Sequence, residues 1–445
     1  MPLESVLNHN LDAVHVCRPA VDSPSVGARA LAVFPAGICN GEFCLPAAAV
    51  IAIRRGEGAL LWDSTEREFI DFSMGWGSGL VGHANPTVVE AVREQALRGS
   101  NFAYLNEPVL ALAEEIQRVS PAARQLRFCA SGTEATMYCQ RLARAFWNRP
   151  KILKFEGAYH GANQAGVTSL FPSRNLAYPQ PEHTCAGTPS VEAELLVAPY
   201  NDLATTRAII LAHRHELAGV IMEPLQRCTP PEPGFLEGVR ALCDETGILL
   251  IFDEVVTGFR LAYGGAQEYY GVVPDLVAYG KALGGGYPIG AFGGRADVMD
   301  LVNEHHIGTS RYVWMASTLG GNPISAAAAN AALSVLRQPG SYARLHALGG
   351  WFREALRKVL RDRGITAQVI GDGPLAQIVF TDQKVRDYRS TATGDKARAR
   401  RMMLGLFARG VFINPMGTKL YLSIAHDEAI CSEFCRRLDA VLQDI

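Results

Sequence analysis

Two residues at the ends of successive apolar strands could do chemistry together in this 445-residue chain. Lys281 follows Leu276-Val277-Ala278-Tyr279-Gly280, and Asp253 closes the run Gly247-Ile248-Leu249-Leu250-Ile251-Phe252. An amine so placed can form a Schiff base with an aldehyde. A carboxylate can keep a pyridine nitrogen protonated, so that the ring draws in electrons. Pyridoxal phosphate needs that pair. Each residue also has an ordinary reading, the lysine as a solvated surface group and the aspartate as a helix cap.

Three further segments end strands with polar or aromatic groups. Cys129-Ala130-Ser131-Gly132-Thr133-Glu134-Ala135 joins a strand to a helix. Small residues there let backbone N–H groups approach a phosphate, and the Thr133 hydroxyl adds a donor. The same pattern also fits a plain N-cap. Phe155-Glu156-Gly157-Ala158-Tyr159-His160-Gly161 supplies a ring, Tyr159, able to stack on a flat cofactor, and an imidazole, His160, that is either structural or functional. Glu223 ends the strand Gly219-Val220-Ile221-Met222.

These residues need a scaffold that aims strand ends at one place. Between about 105 and 300 the pattern alternates. Helices are predicted at Leu110 to Val119, Thr133 to Trp147, Thr205 to His215 and Gly234 to Thr246. Strands are predicted at Gln125 to Cys129, Lys151 to Phe155, Gly219 to Glu223, Gly247 to Glu254 and Leu276 to Tyr279. Such alternation predicts an α/β fold with a mostly parallel sheet covered on both faces, its ligand beyond the carboxyl ends of the strands. Upstream, Val50 to Arg55, Ala59 to Trp62 and Glu68 to Phe72 read as a strand meander. Downstream, an Ala-rich helix (Ser325 to Leu336), a basic helix (Lys396 to Gly410) and a strand (Lys419 to Ser423) suggest a smaller α+β unit packed with the meander. The expected division is 1–75 for an arm and meander, 76–335 for a large domain and 336–445 for a small one.

Composition narrows the class. Hydrophobic residues make up 48% and charged residues 19%, as in ordinary globular chains. A net charge of −2 gives no electrostatic case for nucleic acid or an anionic membrane. No apolar run reaches the ~20 residues of a membrane span. Ten cysteines without a Cys-x-x-Cys pair, and a start lacking a basic-then-apolar leader, lead us to expect a cytoplasmic protein with free thiols and no metal site. No Gly-x-Gly-x-x-Gly opens a βαβ unit, which argues against a dehydrogenase.

Taken in order, Ser131-Gly132-Thr133-Glu134-Ala135, Tyr159-His160-Gly161, Asp253 to Arg260, Gly280-Lys281 and Ser317 to Pro323 resemble the class III pyridoxal phosphate aminotransferases of fold type I. The similarity is strongest to the glutamate-1-semialdehyde aminomutase branch and spans roughly residues 30 to 440. It implies a large domain with a seven-stranded-type sheet. It implies Lys281 as the Schiff-base lysine and proton shuttle, Asp253 at the pyridinium nitrogen, and Val255 and Tyr159 on the two ring faces. It also implies Gly132 and Thr133 at the phosphate, Glu223 near the cofactor and Trp76 in the substrate pocket. Thr318 would reach the phosphate of a neighbouring subunit in a homodimer.

The chain departs from the aminomutase pattern twice. Phe43 stands where that branch has an arginine for the substrate carboxylate, and Thr418 stands where it has a glutamate. The expected activity is therefore transfer of an amino group from a donor to a ketone or aldehyde acceptor, a keto-sugar being one such acceptor. An aminomutase or racemase is the alternative, and a catalytically dead cofactor-binding protein a third. A carboxylate donor would need a cation, with Arg227, Arg54 and Arg260 as candidates.

Overall fold

The computed structural model of this chain describes residues 25–41, 50–182, 193–413 and 418–445. Its centre is a seven-stranded sheet in the order β4-β10-β9-β8-β7-β5-β6. These are β4 (Gln125–Cys129), β5 (Lys151–Phe155), β6 (Leu195–Ala198), β7 (Leu217–Met222), β8 (Leu249–Glu254), β9 (Leu276–Tyr279) and β10 (Gly290–Gly294). Strands β5 to β9 run parallel, with Asp253 paired across to Ala278. Their middles are apolar and wholly buried, as expected of strands covered on both faces. Strand β10 runs opposite to the other six, antiparallel to both β4 and β9.

The sequence pattern located β4, β5, β7, β8 and β9 to within two residues at each end, but not β6 or β10. Gly-Ala-Phe-Gly-Gly reads as a loop by composition. It is a strand because its neighbours leave no room for side chains. A Cβ on Gly290 would lie 2.2 Å from the Ser131 carbonyl oxygen, and one on Gly294 2.4 Å from Leu276. The expected helices are present, shifted by one to three residues. Glu107–Val119, for example, begins at its Asn106 cap.

The meander forms β1 (Ile53–Glu57), β2 (Leu60–Asp63) and β3 (Glu68–Asp71). Its fourth strand comes from the far end of the chain: β13 (Val411–Phe412) lies parallel to β3. A second small sheet joins β11 (Gln368–Ile370), β12 (Leu375–Val379) and β14 (Lys419–Tyr421). Phe72 of the N-terminal part stacks on Phe352 at 5.3 Å and meets Phe434 at 4.6 Å, so one apolar cluster draws on both ends of the chain. Strand β14 thereby faces the carboxyl edge of the large sheet. Among the described residues no helix is long and apolar enough to cross a membrane.

Candidate active site

A cavity of about 620 Å³ opens beyond the carboxyl ends of the parallel strands. Lys281, Asp253, Glu223 and Val255 line it from the sheet edge, and Gly132 and Thr133 from the start of helix Gly132–Trp147. Tyr159 and Arg227 come from the loops after β5 and β7. Trp76, Tyr421 and Lys419 close it from the N- and C-terminal segments.

Asp253 is held rigidly. One oxygen accepts from the Val255 N–H at 3.1 Å, and the other faces His160 Nδ1 at 2.8 Å. Glu223 is equally fixed, accepting backbone N–H groups from Tyr159 (3.0 Å) and Arg227 (3.0 Å). Burial pushes its carboxyl up, but the charges of Arg227 and Lys419 and the neighbouring His160 outweigh that, leaving it below the ordinary carboxylate range. Lys281 is drawn down by burial, an effect that Asp253 and Glu223 only partly offset. A lysine with a lowered pKa carries a larger fraction of free amine at neutral pH, which suits a nucleophile or base.

Three non-glycine residues on the cavity wall hold left-handed backbone: Trp76 at φ 59°, Arg227 at φ 60° and Lys281 at φ 45°. Such conformations persist only where the surroundings over-determine them, and they gather at functional sites.

The residues fit pyridoxal phosphate. At the helix start, the Glu134 N–H is satisfied by Ser131 Oγ and the Ala135 N–H by the Ser131 carbonyl. Among the described residues the Gly132 and Thr133 amides have no acceptor, so two donors and the positive helix end face the cavity. A Cβ at position 132 would lie 2.7 Å from Val255, so any larger residue would fill the slot between helix start and strand edge. An amine, a carboxylate and an aromatic ring share the same space.

The structure separates other candidates from this wall. Ser131 caps the helix. His160 sits behind Asp253, buried, with Nε2 unpartnered among the described residues. Thr318 is exposed at the surface and is not on the cavity wall of its own chain. Of the three candidate cations, only Arg227 lines the cavity. Arg54 is exposed and paired with Glu66. Arg260 is fully buried, donating to the Gly77 and Val256 carbonyls beneath Tyr421. Thr418 is buried and donates to the Ile378 carbonyl at 2.8 Å. Phe43 lies outside the described residues. Sequence reasoning missed Lys419 and Tyr421. The one available signal was a cation inside a strand otherwise reading Leu-Tyr-Leu.

A mostly parallel sheet with a lysine and a buried aspartate at its carboxyl edge, beside an open helix start, defines an enzyme built for pyridoxal phosphate. The description Aminotransferase class-III matches residues 46–441, and the chain belongs to that family, whose members use pyridoxal phosphate to move amino groups between small molecules. It is 38% identical over 418 residues to a glutamate-1-semialdehyde 2,1-aminomutase of Roseiflexus castenholzii, covering 92% of this chain and 94% of the relative. Among solved structures it is similar to an omega-transaminase from Sphaerobacter thermophilus, with 35% identity, a TM-score of 0.87 and coverage of 94% and 96% of the two chains. A transaminase with PLP bound is 28% identical at a TM-score of 0.85, with the same coverage.

Proposed function

We propose that this class-III enzyme is an intermolecular aminotransferase, taking an amino group from an amino donor and delivering it to a ketone or aldehyde that carries no carboxylate beside the reacting carbon. A keto-sugar is one acceptor of that kind. The observation that carries the reading is the convergence of Lys281, Asp253, Thr133 and Tyr159 on one cavity. The departures at Phe43 and Thr418 favour transfer between molecules over an internal shift.

When bound, pyridoxal phosphate supplies an aldehyde for amino groups and a ring that stabilises negative charge on the neighbouring carbon. In this reading Gly132, Thr133 and the helix start hold its phosphate. Asp253 keeps its ring nitrogen protonated, with His160 fixing the carboxylate in place. Val255 and Tyr159 bound the ring. Lys281 would hold its aldehyde end and, as an amine lowered by burial, would move a proton at the substrate carbon. Glu223 locks the Tyr159 and Arg227 loops. Trp76 and Arg227 face the substrate.

The same reading includes a homodimer. Thr318 sits exposed, its carbonyl accepting from Asn101 at 3.1 Å, and the apolar side chains of Phe102, Tyr104, Leu105 and Leu319 are exposed in the same two segments. A second copy would cover them and bring Thr318 to its phosphate. The division at residues 75 and 335 and a cytoplasmic location belong to this reading too.

Similarity to the aminomutase favours a second reading, an internal amine shift on one substrate. Incubation of the reconstituted enzyme with a single amino compound decides between them. Amino transfer is expected only after pyruvate, 2-oxoglutarate or another carbonyl acceptor is added. Isomerisation with no acceptor present would favour the aminomutase. Borohydride treatment of the loaded protein, followed by peptide mapping, should label Lys281, and a label on another lysine would overturn the assignment.

A further inference from the structure

The cavity wall carries more positive charge than the roles above use. Asp253 and Lys281 serve the cofactor, which leaves Glu223, Arg227 and Lys419 on the same wall. Lys419 stands in β14 between buried neighbours and is itself only 7% exposed. Among the described residues its amine makes no hydrogen bond and no ion pair. The Arg227 guanidinium makes none either, its charge lying 6.0 Å from the Tyr159 ring centre. Glu223 supplies one negative charge near both cations, but its two oxygens are hydrogen-bonded to the Tyr159 and Arg227 backbone N–H groups, and among the described residues it forms no ion pair with either cation.

Enclosing a cation without a partner is costly, and a second cation beside it adds repulsion. The Lys419 ammonium shows both effects: burial draws it down to about 7, with Arg227 the next contributor, against smaller opposing pulls from Cys228 and Glu223. A fold tolerates such a pair where a ligand supplies the missing anion. Two cations and one carboxylate leave one uncompensated positive charge, which matches a single carboxylate. The cofactor phosphate has its own donors at the start of helix Gly132–Trp147, so it does not account for this pair.

We propose that Lys419 and Arg227 form a two-cation clamp for the carboxylate of the amino donor, so that donors are amino acids. Arg227 provides a planar fork that orients the carboxylate, and Lys419 a compact charge from the opposite segment of the chain. The clamp restores from another part of the fold the carboxylate grip that Phe43 removes. Its ligand as an amino donor rests on the aminotransferase reading; the binding of a carboxylate does not.

The test uses the pyridoxal phosphate-loaded protein and Lys419→Met, with Lys419→Arg as the conservative variant. Calorimetric titration with glutarate, which has carboxylates but no amine, measures the clamp without turnover. Lys419→Met should bind glutarate about tenfold more weakly or worse, as expected for loss of a charged hydrogen bond, and Lys419→Arg should recover most of the loss. The ratio of kcat/KM for glutamate to that for the uncharged donor 1-phenylethylamine should fall at least as far in Lys419→Met. Equal glutarate affinity in wild type and Lys419→Met, an unchanged donor ratio, or no glutarate binding by the wild type would overturn the clamp. Glutarate binding that depends on Lys419 in an enzyme that transfers no amine would uphold the clamp and reject the aminotransferase reading.

Discussion

Two lysines near this cavity are buried alike and behave differently. Lys154, in β5 beneath the floor, is fully enclosed and drawn down to about 7 by burial, as Lys419 is on the facing wall. Lys154 donates to three backbone carbonyls, those of Ala165, Gly166 and Thr168, at 3.4, 3.0 and 2.5 Å. Lys419 donates to no described residue. Burial taxes both; hydrogen bonds offset it in one case only. The first lysine ties down the loop that carries Tyr159 and is explained by the fold. The second is explained only by something the fold binds. Between these two lysines it is partner count, rather than burial or pKa, that differs.

The largest expected effect lies with a third lysine, which tests whether the cavity is the reacting site at all. Lys281→Ala should lower amino transfer by about 10⁴-fold or more while leaving the folded state intact, because in the proposed reading one residue holds the cofactor and moves the proton. Steady-state rates and thermal melts of the same preparation check this; retained turnover would remove the floor from the comparison. Lys154→Met should act the opposite way. It leaves up to two buried carbonyls, those of Ala165 and Thr168, without a donor, while Gly166 keeps the His160 N–H; at roughly 1–3 kcal/mol each, a loss of about 2 kcal/mol or more in denaturant unfolding is expected. A smaller loss would mean that its hydrogen bonds do not set it apart from Lys419.

His426 sharpens the rule with a different titrating group. It is fully buried, with Nδ1 accepting from the Ser423 N–H at 3.1 Å and Nε2 against the Asp71 carbonyl at 3.1 Å. One neutral tautomer satisfies both, and burial holds its pKa down to about 4, below the ordinary 6.5. Above pH 6.5 the imidazole is neutral folded and unfolded. Between 6.5 and about 4 the unfolded chain takes up a proton that the folded one refuses, so stability falls with acidity by about 3 kcal/mol. Unfolding at a series of pH values should show this slope, reduced in His426→Gln. An unchanged slope would place the acid sensitivity elsewhere.

How much of this could be read beforehand follows from the kind of order involved. The proposed cofactor half of the site comes from strand ends and a helix start, so Asp253, Lys281 and the small-residue helix start at Ser131 to Thr133 were visible as local patterns. The substrate half is assembled from distant segments. Trp76 and Arg227 were suggested only by resemblance. Lys419 was not suggested, because nothing local tells a strand that its lysine faces a cavity formed with residues some 200 positions earlier. Arg260 misled for the converse reason. Its charge looked available in sequence, whereas it is fully buried away from the cavity wall, with two of its nitrogens donating to the carbonyls of Gly77 and Val256. Strand β10 escaped because close packing, not propensity, makes glycines extend there.

The smallest expected effect cuts most finely between the two buried lysines. Replacing an unpartnered buried cation by a similarly shaped apolar side chain removes a desolvation cost and orphans no acceptor. Lys419→Met should therefore leave stability unchanged to within about 1 kcal/mol, or raise it slightly, in the absence of any carboxylate ligand. The same substitution at position 154 should destabilise, although both lysines are buried and have a similar pKa. Adding glutarate should stabilise the wild type against heat and Lys419→Met much less, since a ligand that binds only the folded state raises its stability in proportion to its affinity. Equal destabilisation by the two Met variants would mean that Lys419 has acceptors of its own and is a fold residue like Lys154.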